Sequence, residues 1–216
     1  MRKNKFDRFE NDNNKDKQMA NPRKKNLTTR IISGKYKGKV LELPSLDSTR
    51  SSKSILKESF FNVVQYDIID TIFIEGFGGS GSIGLEAISR GAKSAYFVEI
   101  DRMAYKTLQK NCNNIDASKC TAIMGDSFET LPNIVNNQLK NTNDEIILYL
   151  DPPFDYREGM GEIYHSTFKM VKSFENENIS FIVFEHKSEL KMTENIGKFK
   201  QYKTKKFGNS SLTYYK

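Results

Sequence analysis

Between Thr71 and Glu185, short apolar runs alternate with segments whose apolar residues recur at helical spacing, and this rhythm constrains the fold more than any other feature of the chain. The strand-like runs are Thr71–Glu75, Ser94–Ile100, Cys120–Met124, Glu145–Leu150 and Ile179–Glu185. Between them the spacing predicts helices over about Ser82 to Arg90, Arg102 to Asn113, Ser127 to Asn136 and Gly161 to Phe174. Parallel strands need long crossovers, and helical crossovers cover the faces of the sheet. The chain is therefore expected to fold as α/β, with a mainly parallel sheet covered on both faces. In such sheets ligands bind outside the carboxyl ends of the strands, so the residues that end each run are the ones to read.

The rhythm breaks at both ends. Phe199–Phe207, a turn at Gly208-Asn209 and Ser211–Tyr215 read as a terminal β-hairpin. Arg30 to Pro44 reads as a β-hairpin with a basic turn. From Ser51 to about Tyr66, Leu56, Phe60, Val63 and Val64 define an amphipathic helix with Lys53 and Lys57 off its apolar stripe. No internal repeat is present.

The run Ile146–Leu150 ends in Asp151-Pro152-Pro153-Phe154. Such a turn suits methylation of an exocyclic amino nitrogen, whose lone pair is delocalised into the base and is a poor nucleophile. The Asp151 carboxylate and a carbonyl held outward by Pro152-Pro153 can accept the two N–H bonds and aim the lone pair at a methyl donor. Phe154 offers a flat face to the base. Asp-Pro-Pro is also an ordinary way to end a strand, since the residue before proline is pushed out of the α region.

The first strand leads into Glu75-Gly76-Phe77-Gly78-Gly79-Ser80-Gly81-Ser82-Ile83-Gly84, where Gly79, Gly81 and Gly84 make a G-x-G-x-x-G pattern that opens a helix. Glu99, twenty residues after Gly79, ends the next strand, where a carboxylate can bind ribose hydroxyls. Two further acids favour a sulfonium cofactor over a dinucleotide. Glu75 puts negative charge where a methionine ammonium can sit and a pyrophosphate cannot, and Asp126 can accept from an adenine amine. Asp126 could equally cap the helix that begins at Ser127, and Glu75 could be a salt-bridged loop residue. The candidate S-adenosylmethionine-binding set is Glu75, Phe77, Gly79, Ser80, Gly81, Gly84, Glu99 and Asp126.

A chain of 216 residues, 37% apolar, supports one core with appendages. The division expected is a disordered basic tail over 1–29, a hairpin-and-helix extension over 30–66 and a cofactor domain over 67–216. Met19 is an alternative translation start. Residues 1–57 hold sixteen Lys/Arg against six Asp/Glu, a net charge of +10, whereas the rest of the chain carries −3. A basic front on a slightly acidic body is the footprint of phosphate-backbone binding. Arg30, Lys35, Lys37, Arg50, Lys53 and Lys57 are the candidates for those contacts as a group. Apolar runs of about five residues fall far short of the roughly 18–20 needed for a membrane helix, and the polar N-terminus does not suit a secretory signal, so a cytoplasmic location is expected. With Cys112 and Cys120 the only cysteines and His165 and His186 the only histidines, neither a zinc site nor a disulfide framework is expected.

From Arg30 to Tyr215 the chain resembles the RsmD-type methyltransferases, which methylate guanine N2 in bacterial 16S ribosomal RNA with S-adenosylmethionine. The resemblance rests on Arg30 to Gly38, Thr49-Arg50, Lys57 to Asn62, Phe77, Gly79 to Ala87, Asp151 to Phe154 and Phe207 to Leu212. It implies a class I methyltransferase Rossmann-like fold with a seven-stranded sheet and an N-terminal hairpin and helix that hold RNA. It further implies that Glu99 binds ribose, that Asp126 lies near adenine and that Asp151 to Phe154 receive guanine. The partner implied is 16S rRNA or the small ribosomal subunit, met by a monomer without metal. Glu75, Gly78, Ser51 and Lys57 stand where the family usually has Asp, Ala, Pro and Arg, and lysine lacks the planar fork of arginine. Three other readings share some of these features: an adenine-N6 methyltransferase, a dehydrogenase and a non-catalytic ribosome-assembly factor.

Overall fold

The computed structural model describes residues 27–44, 50–153 and 160–216, with the side chains of 50–53 and 160–161 also outside the described set. Residues 1–26 of the tail, the alternative start at Met19, Phe154 and the side chains of Arg50 and Lys53 therefore lie outside the described residues, whereas Thr28 and Thr29, expected in the tail, belong to a strand.

The chain opens with a two-stranded antiparallel pair, β1 (Thr28–Arg30) and β2 (Val40–Glu42), and helix α1 (Arg50–Val63). The alternation follows as β3 (Ile72–Glu75), α2 (Ser82–Ser89), β4 (Ser94–Glu99), α3 (Arg102–Ile115), β5 (Cys120–Met124), α4 (Ser127–Asn133), β6 (Ile146–Leu150), α5 (Met160–Lys172) and β7 (Ile179–Lys187). It closes on β8 (Asn195–Ile196), β9 (Phe199–Phe207) and β10 (Ser210–Tyr215). The expected helix to Asn136 ends at Asn133 and continues as a π-helical turn over Ile134–Gln138. The expected helix to Tyr66 stops at Val63, and Tyr66 beyond it stands 78% exposed.

The main sheet runs β5-β4-β3-β6-β7-β10-β9-β8. Strands β3 to β7 are parallel, and β10 is antiparallel to both β7 and β9. The seven strands expected are β3 to β7, β9 and β10, and one short strand is added at the edge. The additional strand is the two-residue β8, folded back on β9 through Gly197 in the left-handed region at φ 59°. A two-residue run carries no period for sequence reading to detect. Strand order reverses at β3, which has β4 on one side and β6 on the other, so a crevice opens at the carboxyl ends of these strands.

Two apolar layers sandwich the sheet. On one face Phe60 and Phe61 of α1, Leu85 and Ile88 of α2, and Leu108 of α3 pack on Phe73, Phe97, Ile147, Tyr149 and Val183. On the other, Leu131, Val171 and Phe174 pack on Ile74, Val98, Leu148, Ile182 and Phe184. Because β3 and β6 are buried on both faces, they read as unbroken apolar runs rather than as alternations. Among the described residues of the N-terminal extension, Ile31, Leu41, Leu56 and Val64 join the first of these layers.

Helix α2 fastens that extension. Glu86 is fully buried, and its two oxygens accept from the backbone N–H groups of Ile32 and Ser33 at 2.7 and 2.9 Å. One turn on, the Ser89 carbonyl accepts from Lys35 N–H at 2.7 Å, and the Ser89 hydroxyl accepts from Tyr36 N–H and donates to the Ser33 carbonyl. Gly34, at φ 82°, approaches so closely that a Cβ would lie 1.8 Å from the Ser89 oxygen.

Candidate active site

A cavity of about 490 Å³ opens at the carboxyl ends of β3, β6 and β7, under α1 and the β1–β2 arm. Its walls include Glu75 and the glycine loop on one side, Tyr149, Asp151 and Glu185 on another, and Arg30, Ser54 and Lys57 from the extension. Strand periodicity explains the grouping. Glu75 pairs with Tyr149 across β3 and β6, and Leu150 pairs with Phe184 across β6 and β7. Asp151 and Glu185 each follow the latter pair by one residue. Side chains alternate between faces, so Glu75, Tyr149, Asp151 and Glu185 all emerge on the face covered by α1 and α2.

The glycine loop is built from backbone that other residues adopt only with strain. Gly79 has φ 51° and Gly81, the N-cap of α2, has φ 75°. At Gly84 a Cβ would meet the Phe97 ring at 2.4 Å, so this glycine lets α2 lie against β4. Around the position of a Cβ on Gly79 there is nothing within 4 Å, which leaves an open space above the loop.

The acids hold this loop from both sides. Glu99 accepts from Gly79 N–H and from Asp101 N–H, each at 2.7 Å. Glu75 is 5% exposed and accepts from Gly84 N–H at 2.8 Å and Ile83 N–H at 3.4 Å. Burial pushes the Glu75 carboxyl up to about 8, with the nearby Asp151 charge adding to the rise and the backbone bonds and Lys57 opposing it. Asp126 takes the capping role open to it in the sequence: it is the N-cap of α4 and accepts from Phe128 N–H at 2.8 Å. Phe77 lines the cavity and meets Phe128 edge-on at 6.0 Å, and Ser80 lines the same wall.

At the far wall Asp151 is half-buried and Pro152 is buried, with Pro153 exposed beyond them. The Tyr149 hydroxyl donates to Glu185 at 2.6 Å, and both side chains are buried. Burial, with the Glu185 and Asp151 charges, raises Tyr149 well above the usual phenol range and keeps it a donor.

The basic group divides. Arg30, Lys35 and Lys37 are exposed, and Arg30 also reaches the cavity wall. Lys57 departs from its expected role as a phosphate contact: it is 3% exposed, pairs with Glu86 at 3.4 Å and donates to the Arg30 carbonyl at 3.0 Å. Its ammonium lines the cavity, and burial lowers its pKa.

Sequence reasoning missed Tyr149 and Glu185 because both sit inside apolar strand runs. It also missed the charge on the C-terminal hairpin. Lys205 and Lys206 pair through Leu212 and Ser211 with Glu185 and His186, which brings them to the same end of the sheet as Asp151. Lys205 also donates to the Ser59 hydroxyl of α1 at 3.3 Å. The absence of any acid from Phe199 to Lys216 was the available signal.

The switch point at β3, the glycine loop opening α2 and the acids ending β3, β4 and β6 define a doubly wound α/β domain of the class I methyltransferase type. The solved structure "Putative methyltransferase yhhF from Escherichia coli" shares the fold over 87% of this chain and 97% of its own, with a TM-score of 0.68 and 24% identity. Another, "SMU.776, a putative methyltransferase complexed with SAH", matches 83% of this chain and 54% of its own, with a TM-score of 0.60 and 11% identity.

The chain belongs to the family described as Conserved hypothetical protein 95, whose model matches residues 29–216. "Putative rRNA methyltransferase YlbH" of Bacillus subtilis (strain 168) is 28% identical over 187 residues, 87% of this chain and 98% of the relative. "Ribosomal RNA small subunit methyltransferase D" of Escherichia coli (strain K12) is 32% identical over 133 residues, 62% of this chain and 63% of the relative, just under two thirds of that protein's length. The RsmD-type resemblance read from the sequence is borne out.

Proposed function

We propose that this protein transfers a methyl group from S-adenosylmethionine to the exocyclic N2 of a guanine in small-subunit ribosomal RNA. The observation that carries the reading is the cavity itself, in which the glycine loop, a buried acid and the Asp151 turn share one set of walls. The family and the names of the relatives supply the RNA class.

The residues fit the cofactor. The open space over Gly79 gives room for a nucleoside, and a buried carboxyl held at about 8 is relieved by a cation, as the methionine ammonium provides. Glu75 and the loop from Phe77 to Gly81 would hold the methionine end, with Glu99 and Asp126 toward the ribose and adenine. The bound cofactor supplies an electrophilic methyl on a sulfonium. Asp151 and the Pro152 carbonyl accept the two N2–H bonds and turn the nitrogen lone pair toward that methyl. The methylated amine then loses its proton to Asp151 or water. Guanine reaches this depth by flipping from its stack. Arg30, Lys35 and Lys37 on one side, and Lys205 and Lys206 on the other, hold the phosphates as the base enters. The location that goes with this proposal is the cytoplasm, where an rRNA substrate would be met.

The test is incubation with labelled S-adenosylmethionine and small ribosomal subunits lacking the modification, followed by mass spectrometry of the nucleosides. Label in N2-methylguanosine is the expected result. Label in N6-methyladenosine, or cofactor binding with no transfer to RNA, would refute the proposal. Asp151→Ala should abolish transfer while leaving cofactor binding in place.

A further inference from the structure

We infer that Glu185 is the specificity residue for the base: the carboxylate oxygen not used by Tyr149 accepts the guanine ring N1–H beside the amine that Asp151 orients. This rests on the guanine-N2 reading and goes beyond it, since orienting an amine does not by itself distinguish guanine N2 from adenine N6.

Three observations support the assignment. Glu185 and Asp151 each stand one residue past the Leu150–Phe184 pair on neighbouring parallel strands, so their backbones are about 5 Å apart and their side chains share a face. Both line the same cavity. Glu185 is 5% exposed and its Oε2 is fixed by the Tyr149 hydroxyl at 2.6 Å, whereas among the described residues no hydrogen bond or cation engages Oε1. Oε1 is not among the buried unpartnered atoms of the described residues, so it is open to the cavity, where a donor from a ligand can reach it.

Guanine supplies that donor. Its Watson–Crick edge carries N1–H directly beside the N2 amine, so two acids presented side by side meet adjacent donors. Adenine places an N1 lone pair beside N6, and against a fixed carboxylate oxygen this is acceptor facing acceptor. A site built around a buried hydrogen-bonding group rejects the analogue lacking its partner far more strongly than a shape-selective pocket does. Tyr149 is a positioning residue in this scheme, holding the carboxylate without touching the base.

The test uses the full chain and small subunits reconstituted with RNA carrying either guanosine or 2-aminopurine nucleoside at the mapped target. 2-Aminopurine keeps the N2 amine but has a lone pair at N1. Wild-type enzyme should prefer guanine by about a hundredfold or more in kcat/KM. Glu185→Gln can keep accepting from Tyr149 while its amide donates to N1 of 2-aminopurine, so it should lose activity on guanine and gain it on 2-aminopurine, moving the ratio by at least about tenfold. Cofactor affinity, measured in parallel, should not change. Should Glu185→Gln fail to fold, Glu185→Asp withdraws the carboxylate and should lower kcat/KM on guanine with no gain on 2-aminopurine. Methylation of guanine by wild type with the ratio unchanged in Glu185→Gln, or full guanine activity in Glu185→Asp, would overturn the Glu185 assignment alone. Absence of guanine methylation by wild type would overturn the guanine-N2 reading and this assignment together.

Discussion

Replacing Glu75 by Gln tests the electrostatics of the cofactor wall without changing its shape. In the folded protein burial holds this carboxyl at about 8, against 4.5 for the unperturbed group. A raised acid binds its proton more tightly folded than unfolded, so its stabilising contribution is full below pH 4.5 and is lost as pH rises to 8. Within that window the slope is about 1.4 kcal/mol per pH unit, and the loss from pH 5 to pH 8 comes to roughly 3–4 kcal/mol. Glutamine does not titrate. Its carbonyl can still accept from Gly84 N–H, and any mismatch of its amide with Ile83 N–H is a pH-independent offset. Urea denaturation of both proteins between pH 5 and pH 8 should therefore give a stability difference that moves steadily against wild type. Other titrating groups cancel in the comparison. Adding S-adenosylhomocysteine, whose ammonium favours the ionised carboxylate, should expel the proton. Wild-type affinity should then rise toward pH 8, while the variant binds weakly and with little pH dependence. A stability difference that stays flat across the range would refute the reasoning.

Other perturbations separate the parts. Glu86→Ala leaves two backbone N–H groups and the Lys57 and Arg90 cations without their buried partner, and should cost about 3–5 kcal/mol in chemical denaturation. Gly79→Ala meets no atom but occupies the left-handed region at φ 51°, so stability should fall by about 1–2 kcal/mol while calorimetry shows a much larger loss of cofactor binding. Gly84→Ala instead drives a methyl into the Phe97 ring and should cost about 1–3 kcal/mol, read as a lowered denaturation midpoint. Replacing both Lys205 and Lys206 by Ala should flatten the log–log salt dependence of RNA binding by about 1–2, with cofactor affinity unchanged in the same preparation.

The sequence made the central sheet legible because burial on both faces writes itself as unbroken apolar runs, and Cys120–Met124 matches its expected limits residue for residue. The glycine pattern was equally readable, since positive φ at Gly79 and Gly81 and close packing at Gly84 each demand the missing side chain. What stayed hidden were charges whose meaning depends on long-range packing. Lys57 reads as one more cation on a basic helix, and only the fold brings Glu86, 29 residues away, to pair with it. Glu185 sits inside an apolar strand with no local signature, and its relation to Asp151 is set by strand register. Glu99 and Asp126 were read toward the cofactor, yet each also satisfies backbone N–H groups of its own loop, a duty that leaves no separate trace in sequence.

Helix α2 joins the two halves of the proposed reaction. Its first turn carries the glycine loop and gives its Gly84 N–H to Glu75, while Glu86 and Ser89 hold the arm from Ile32 to Tyr36 that bears Lys35 and Lys37. Only eight residues span these functions, so the helix behaves as one rigid element. Lys57 adds a second link, because one ammonium pairs with Glu86, binds the Arg30 carbonyl and lowers the pKa of Glu75. The arm proposed to meet phosphate and the acid proposed to meet the cofactor are therefore braced against a common buried charge network. A surface lysine at position 57 would have added one more phosphate contact. Buried, it would instead fix the spacing between the proposed phosphate contacts and the proposed methyl donor, and in an in-line transfer such spacing governs the rate.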